Sequence, residues 1–396
     1  MIEAAERSRV RARTARTASE PIAFLRRFDW VLLAAAFGLI GYGLWVVAGI
    51  TRFDVPGDED YYVVRQAIAA GLGLAALVVA ALVPLEVAQR HWRLLYGATL
   101  GLMVVVFAAA ETVRGSKRWI DLGVIQFQPS ELGKVLFVLA IAGFLVERAG
   151  RVTRWRTIGS ALGLGAAPIL LVFLQPDLGT ALVYLAALLA VLFFAGVRWR
   201  QLVALLAVGV VGMLAVVWLL PANGVQVLEP YQGKRLAGFL NPDADPSGLT
   251  YNVNQSITAV GSGGLSGRGV IEASQTRLDY LPEHATDFAF ASLGEQRGFV
   301  GSSILLLLYL LVVWRGLRVV TVAGDLYGAV VAGGLVFAFL FQVFVNVGMT
   351  MGVAPVTGIP LPFVAVGGTS MVSNLLLIGV LQGIHARGLM TGRSGP

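Results

Sequence analysis

The sequence predicts an all-α, polytopic membrane protein with about ten transmembrane helices. Two observations lead to this fold class. Of the 396 residues, 57% are hydrophobic and only 13% are charged, and the mean hydropathy is +0.77. In addition, the apolar residues form runs long enough to cross about 30 Å of hydrocarbon. An ordinary water-soluble domain does not carry this much uninterrupted apolar sequence.

The apolar runs define the predicted spans in chain order. They cover residues 28-50, 62-84, 92-110, 130-147, 157-174, 177-197, 201-220, 287-314, 325-350 and 363-386. Arginines cluster in alternate connections between these runs, which is the pattern of cytoplasmic loops. We therefore predict that both termini are cytoplasmic and that a long extracytoplasmic loop, residues 221-286, joins the seventh span to the eighth.

The chain divides into one membrane domain and two short tails. Residues 1-27 form a basic cytoplasmic tail, residues 28-386 form the ten-helix domain with its loop 221-286, and residues 387-396 form a cytoplasmic C-terminal tail. An Arg-rich segment before an apolar run is also typical of a signal peptide. The first run is of spanning length and no small-residue cleavage pattern follows it, so we expect an uncleaved anchor.

Composition excludes several functions. The chain has no cysteine, which rules out disulfides, thiolate nucleophiles and Cys-based metal sites. The formal net charge of +7 does not indicate nucleic-acid binding, because the basic residues lie in short segments between spans. Partners are instead expected among membrane lipids and membrane-anchored molecules.

The predicted outer face carries basic and amide side chains. Basic residues there run against the positive-inside trend, and an anionic ligand is the simplest explanation for them. The candidate binding residues are Arg114, Lys117, Arg118, Gln128, Lys134, Gln175 and Arg235.

Three predicted spans begin with a carboxylate at this same face, namely Glu131, Asp177 and Asp287. Glu131 follows the helix-start residue Pro129, and Lys134 lies three residues further on the same helix face. We expect this pair to face a wet cavity, because an unpaired ammonium at that depth is unfavourable. The alternative is an ordinary ion pair on a capped helix. Asp177 follows Pro176 and is well placed as an N-cap, which is a sufficient explanation on the local sequence.

Asp287 is the best candidate for a general base. It lies where residues 281-288 re-enter an apolar run, and partial desolvation at such a position raises the proton affinity of a carboxylate. The alternative is that Thr286 and Asp287 only cap the span. His284 is expected to be a solvent-exposed loop histidine. No spacing of His, Asp and Glu resembles a dedicated metal cage.

The ordered motifs of the chain resemble the SEDS family of bacterial morphogenesis proteins over nearly the whole length. The motifs are Arg114–Trp119, Phe127–Leu132, Gln175–Thr180, Arg235–Leu236, Phe239–Pro242, Gln255–Ser256, Gly261–Gly264, Leu281–Glu283, Thr286–Phe288 and Pro355–Pro362. Residues 346-352 and 358-362 are closer to the RodA-like elongation members than to the division members.

Three positions depart from the family pattern. Members usually read Glu-x-His-Thr-Asp, whereas His284 here stands one place early. Ala365-Val366 replaces the usual Ser-Tyr, and Gln296 stands where a second Glu is common. These differences leave Asp287 unchanged.

The resemblance implies a peptidoglycan glycosyltransferase of the bacterial cytoplasmic membrane that polymerises lipid II during cell-wall elongation, with its active site on the extracytoplasmic face. It places the essential Asp of the family at Asp287, and it places Glu131, Lys134 and Asp177 in the same cavity. The implied partners are lipid II, a lipid-linked nascent glycan and a class B penicillin-binding protein. A divalent cation, Mg or Mn, is a further expectation, with its ligands unknown.

Two other classes of function stay open at this point. A lipid II transporter would need charges distributed through the bilayer, whereas the ionisable residues here gather at the outer face. A non-catalytic scaffold of the elongation machinery would need the acidic residues only as helix caps. Loss of polymerisation in a folded Asp287 variant would reject the scaffold.

Overall fold

The structure is a computed structural model and shows a bundle of long apolar helices. It describes residues 24–109, 118–121, 123, 126–222 and 249–391. The predicted N-terminal tail up to residue 23, residues 223–248 of the predicted loop and residues 392–396 lie outside the described residues.

The helices follow the predicted spans in order along the chain. They are α1 (Trp30–Ile50), α2 (Tyr61–Leu82), α3 (Leu85–Arg90), α4 (Trp92–Ala109), α5 (Pro129–Val146), α6 (Trp155–Leu174), α7 (Leu178–Phe194), α8 (Trp199–Leu214), α9 (Leu249–Ser262), α10 (Gly269–Glu272), α11 (Ser274–Arg277), α12 (Ala289–Val322), α13 (Leu326–Thr350) and α14 (Gly368–Thr391). Two short antiparallel strands, β1 (Ile120–Asp121) and β2 (Gln126–Phe127), precede α5.

Seven of these helices are long and apolar enough to cross a membrane: α1, α2, α5, α6, α12, α13 and α14. Helices α4, α7 and α8 are apolar but shorter, and they coincide with three further predicted spans. The predicted fold class, an all-α multi-pass membrane protein, is therefore confirmed. The span count of ten stays a prediction.

Two predicted spans differ in their bounds from the helices of the structure. Helix α12 is Ala289–Val322, against a predicted span of 287-314, and α14 begins at Gly368, five residues after the predicted start of its span at residue 363. Residues 361–367 are turns or irregular instead of helical. Their apolar side chains are nonetheless buried, with Leu361 at 0% and Phe363 at 1% exposure. Hydropathy alone cannot distinguish a loop buried in protein from a helix buried in lipid.

Helices α5, α13 and α14 form the centre of the bundle. In the most apolar 18-residue stretch of each helix, the buried share of residues is 83% in α5, 72% in α13 and 89% in α14. Helix α5 packs against α4, α7, α13 and α14, while α14 also packs along α2 and α12 packs against α1. The helix that carries Glu131 and Lys134 is thus enclosed by protein on most sides.

A buried ion pair joins three helices at one end of the bundle. Asp29 caps the start of α1 by accepting from Leu32 N, and its carboxylate receives Arg315 Nη2 of α12 at 2.6 Å. Gln382 of α14 donates to the carbonyl of Asp29 at 2.9 Å. The start of α1 and the C-terminal parts of α12 and α14 therefore lie at the same end of the bundle. The prediction that both termini are cytoplasmic requires this arrangement.

Helix α12 is broken at Gly298, and a glycine-rich segment fills the break. Gly298 has φ 63° and ψ −161°, a conformation that residues with a Cβ avoid. The amides of Phe299 and Val300 donate to the carbonyls of Gly264 (2.8 Å) and Leu265 (3.1 Å) instead of to their own helix. A side chain at Gly298 would collide with the backbone of this segment.

The sidedness of the bundle is testable because the chain has no cysteine. Cysteine at the exposed Glu272 of α10 should react with a membrane-impermeant thiol reagent in intact cells. Cysteine at the exposed Gly150, in the basic connection before α6, should react only after permeabilisation. The opposite pattern would overturn the predicted orientation.

Candidate active site

An arginine, two glutamines and an aspartate meet where α5 and α7 begin. Arg118 donates from Nε to the carbonyl of Gln175 at 3.3 Å and from Nη2 to the carbonyl of Pro176. Its Nη1 lies 3.7 Å from Asp177 Oδ1. Gln128 Nε2 donates to Asp177 Oδ2 at 3.1 Å. The guanidinium of Arg118 thus holds the turn between α6 and α7 in this structure.

Asp177 is the N-cap of α7, as its position after Pro176 predicts. Its Oδ1 accepts from the backbone amide of Thr180 at 3.0 Å, and its Oδ2 accepts from the Thr180 hydroxyl at 2.9 Å. Gln175, just before it, donates to the carbonyl of Met103 in α4 at 2.9 Å. The buried carboxylate of Asp177 is therefore satisfied by capping α7 and by its contacts with Arg118 and Gln128.

Glu131 and Lys134 form the predicted ion pair, and both side chains are buried. Lys134 Nζ donates to Glu131 Oε2 at 2.8 Å and to Gln342 Oε1 of α13 at 2.7 Å. Ser373 of α14 approaches the same carboxylate oxygen at 3.4 Å. The side chains of Lys134 and Glu131 are only 4% and 3% exposed. The pair is satisfied by protein groups from three helices, so burial does not require water around it.

Two amide side chains of α13 hold the connection between α13 and α14. Gln342 Nε2 donates to the carbonyl of Pro360 at 2.9 Å. Asn346, one turn further along the same helix face, donates from Nδ2 to the carbonyls of Ile359 at 2.7 Å and Asp287 at 3.0 Å. Asn346 therefore joins this connection to the backbone of the candidate base.

Asp287 lies on a turn before α12 and is partly buried. The turn is closed by the amides of Thr286 and Phe288, which both donate to the carbonyl of Glu283 at 3.1 Å. From the α13–α14 connection, the Val366 amide donates to the carbonyl of Ala285 at 2.8 Å. The backbone around Asp287 is thus held by hydrogen bonds from two neighbouring elements.

Neither Thr286 nor Asp287 occupies the N-cap position of α12. Helix α12 starts at Ala289 and its N-cap residue is Phe288, whose ring is 1% exposed. The Thr286 hydroxyl donates to Glu283 Oε2 at 2.9 Å, within the turn. Burial of Phe288 places the helix start two residues later than the sequence suggests.

The prediction of a solvent-exposed His284 is also wrong. The residue is 8% exposed, and its Nε2 lies 3.0 Å from Asp54 Oδ1 in the connection between α1 and α2. Burial lowers the pKa of His284, but the hydrogen bond and the charge of Asp54, with a contribution from Asp279, outweigh this effect, so the pKa is raised above 6.5. His284 therefore keeps its proton to a higher pH than a free histidine does.

The structure adds three residues that sequence reasoning did not single out as site residues. Gln342 and Asn346 contact the site from α13, and Asp54 contacts the turn through His284. Polar residues four apart inside the apolar run 325-350 were the available signal for the first two, because such spacing places both on one helix face. Asp54 lies in an acidic connection, and nothing local distinguishes it from its neighbours.

Three predicted binding residues, Arg114, Lys117 and Arg235, lie outside the described residues. Within the described ranges, no three His, Cys, Asp or Glu side chains are grouped closely enough to hold a metal ion. Asp29, Glu131 and Asp177 instead pair with basic side chains of the protein.

Together, the fold and this polar end of the bundle define a multi-pass membrane protein with a carboxylate-bearing turn supported by buried polar side chains. The sequence profile of the FtsW/RodA/SpoVE cell cycle proteins matches residues 27–388. The chain belongs to this family, which is the SEDS family, and the resemblance read from the motifs is confirmed.

Relatives and solved structures agree over most of the chain. The peptidoglycan glycosyltransferase MrdB of Escherichia coli strain K12 is 36% identical over 367 residues, covering 93% of this chain and 97% of that protein. Stage V sporulation protein E of Bacillus subtilis is 36% identical, covering 89% and 94%.

Two solved structures share the fold. The first belongs to a peptidoglycan synthase complex and is described as showing structural coordination of polymerization and crosslinking. It matches with a TM-score of 0.77 and 30% identity, covering 91% of this chain and 98% of that chain. The rod shape determining protein RodA of Thermus thermophilus matches with a TM-score of 0.65 and 27% identity, covering 90% and 96%. These similarities identify a multi-pass bacterial membrane protein and a peptidoglycan glycosyltransferase.

The buried pair in α5 gives a stability test. Lys134→Met should lower the free energy of unfolding by about 3–5 kcal/mol, because it leaves Glu131 buried and unpaired. The double variant Glu131→Gln with Lys134→Met should recover much of this loss. Unfolding in detergent, followed by circular dichroism, measures both.

The control for this test is an exposed pair. Arg52 and Glu59 are 2.9 Å apart with side chains 47% and 60% exposed, so Arg52→Met should cost less than about 1 kcal/mol. Equal stability of Lys134→Met and the wild type would contradict the buried pairing.

Proposed function

We propose that this peptidoglycan glycosyltransferase polymerises lipid II on the extracytoplasmic side of the membrane, with Asp287 as general base. The observation that carries the proposal is the position of Asp287. Asp287 is partly exposed and lies on a turn whose backbone is fixed by Asn346 and by Val366. A general base needs both access to substrate and a fixed position.

The reaction assigned to Asp287 is proton removal from the acceptor. The acceptor sugar hydroxyl gives its proton to the Asp287 carboxylate while the hydroxyl oxygen attacks the anomeric carbon of the donor. A new glycosidic bond forms as the bond from the anomeric carbon to the pyrophosphate oxygen breaks. The polyprenyl pyrophosphate leaves with the bonding electrons, and the proton on Asp287 later passes to solvent.

Cationic residues of the outer end are proposed to attract the pyrophosphate groups. Arg114, Lys117 and Arg235 carry this role on the basis of sequence. Arg118 and Lys134 are already bonded to protein groups in this structure, so their contribution is a positive charge near the site together with support for the turns. Removing such charges should weaken substrate binding more than the chemical step.

A class B penicillin-binding protein is the proposed partner. The support comes from the solved peptidoglycan synthase complex, which is described as coordinating polymerization and crosslinking. A divalent cation, Mg or Mn, stays a prediction. The described residues do not form a metal cage, and no step is assigned to a cation.

The test of Asp287 is the isosteric change Asp287→Asn. It keeps the side-chain shape and removes the proton affinity, so glycan polymerisation from lipid II should fall by about 100-fold or more. Binding of lipid II should be retained, because the proposed pyrophosphate contacts come from other residues. Gel analysis of glycan chains made by purified protein, free of other glycosyltransferases, measures the rate.

The matched control is Asp58→Asn, the same change at an exposed aspartate in the connection between α1 and α2. It should polymerise at the wild-type rate. Near-normal polymerisation by Asp287→Asn would remove Asp287 from the mechanism and direct attention to Glu131 and Asp177.

A further inference from the structure

A second titratable group lies three residues before Asp287 on the same turn. His284 is buried, and Nε2 of its ring lies 3.0 Å and 3.2 Å from the two carboxylate oxygens of Asp54. These residues are 230 positions apart in the chain. The contact therefore ties the turn before α12 to the connection between α1 and α2, an element that does not otherwise take part in the site described above.

We propose that His284 and Asp54 form a brace that positions the turn of Asp287 and that is tighter at acidic than at alkaline external pH. His284 is a positioning residue here, since its ring contacts Asp54 and not the reacting atoms. The inference rests on the proposed function of Asp287.

Geometry gives the brace a direct route to the base. The carbonyl of His284 accepts from Ser292 Oγ of α12 at 3.3 Å, and the neighbouring carbonyl of Ala285 accepts from Val366 N at 2.8 Å. Asn346 holds the carbonyl of Asp287 itself. The brace thus fixes the turn toward the connection between α1 and α2, while the other contacts named here fix it toward α12, α13 and the α13–α14 connection.

Partial burial makes the contact strong enough to matter. The side chains of His284 and Asp54 are 11% and 21% exposed, so solvent screens their attraction less than it screens a surface pair. A hydrogen bond between an imidazolium and a carboxylate is stronger than one between neutral groups. When His284 loses its proton, the neutral ring can still donate one hydrogen bond to the Asp54 carboxylate, but the attraction between opposite charges is lost and the turn is held less firmly.

The charged groups around the ring determine the direction of the pH dependence. Asp54 faces Nε2, and Asp279, on the segment after α11, lies 3.5 Å from Nδ1. Both stabilise the protonated ring and outweigh burial in raising the pKa of His284. The brace is complete below about pH 6.5 and weakens as the pH rises through the raised pKa.

Other charged groups nearby are engaged elsewhere. Glu283, adjacent in sequence, accepts from the Thr286 hydroxyl. Arg52 and Glu59, on the same connection as Asp54, pair with each other at 2.9 Å. Glu295 of α12 accepts from the backbone amides of Gln275 and Thr276. The acidic residues Asp54 and Asp279 thus dominate the field at His284.

The pairing is tested without any activity measurement. The chain has three histidines, so histidine-selective NMR of the full-length protein resolves each titration. The pKa of His284 should lie above its ordinary value of 6.5, and Asp54→Asn should lower it while Asp58→Asn leaves it unchanged. A pKa of His284 that is not raised and does not respond to Asp54→Asn would overturn the proposal.

Positioning is tested by lipid II polymerisation between about pH 6 and about pH 9. His284→Gln and Asp54→Asn should each lower kcat by about tenfold at the acidic end with little change in KM, because the base is displaced but the substrate contacts remain. The difference from wild type should shrink as the pH rises. The double variant should be no slower than either single variant, since both remove the same contact.

A swap and a control separate positioning from general damage. Asp54→His combined with His284→Asp recreates the pair and should recover part of the lost rate. His385→Gln changes the other buried histidine, which contacts the carbonyl of Arg27 at the opposite end of the bundle, and should leave the pH profile unchanged. If His284→Gln does not fold, Asp54→Asn, on a surface connection, gives the same test.

The outcomes distinguish the brace from the proposed base. A wild-type rate and pH profile in both His284→Gln and Asp54→Asn, with Asp287→Asn inactive, would overturn the brace alone. An active Asp287→Asn would instead overturn the proposed function of Asp287.

Discussion

The buried ammonium of Lys134 constrains the arrangement around the site. A cation enclosed by helices must be paired and hydrogen-bonded, since an unsatisfied charge in such surroundings is strongly unfavourable. Glu131, one turn earlier, supplies the opposite charge, and Gln342 of α13 supplies a second acceptor. The amide of Gln342 is thereby oriented so that its nitrogen reaches the carbonyl of Pro360. One charge in α5 thus fixes the register of α13 and of the connection that follows it.

The same face of α13 also contacts the backbone of the candidate base, Asp287. Asn346 lies one turn beyond Gln342 and binds the carbonyls of Ile359 and Asp287. Asp287 is therefore positioned through its backbone by residues deep in the bundle, while the residue itself stays partly exposed. A flexible loop could not hold a proton acceptor within the narrow range of positions that catalysis needs.

Local sequence patterns predicted part of this site. Pro176-Asp177 predicted a helix break followed by an N-cap, and the spacing of Glu131 and Lys134 predicted their ion pair, because both features depend on neighbours within one turn. The partners contributed by distant segments were not predictable. Gln342 is 208 positions from Lys134, and His284 reaches Asp54 across 230 positions. The partners of the buried pair were unpredictable for the same reason, since Gln342 and Ser373 come from α13 and α14.

The break at Gly298 makes α12 and the glycine-rich segment before it one cooperative unit. The amides of Phe299 and Val300 donate to the carbonyls of Gly264 and Leu265, because the break at Gly298 removes them from the hydrogen-bond pattern of their own helix. Local unfolding of the glycine-rich segment would therefore leave two backbone amides of α12 without acceptors. The free energy of opening the segment includes the loss of these hydrogen bonds in α12. Opening fluctuations of the segment and of the helix are expected to share one free energy, so that neither loosens without the other.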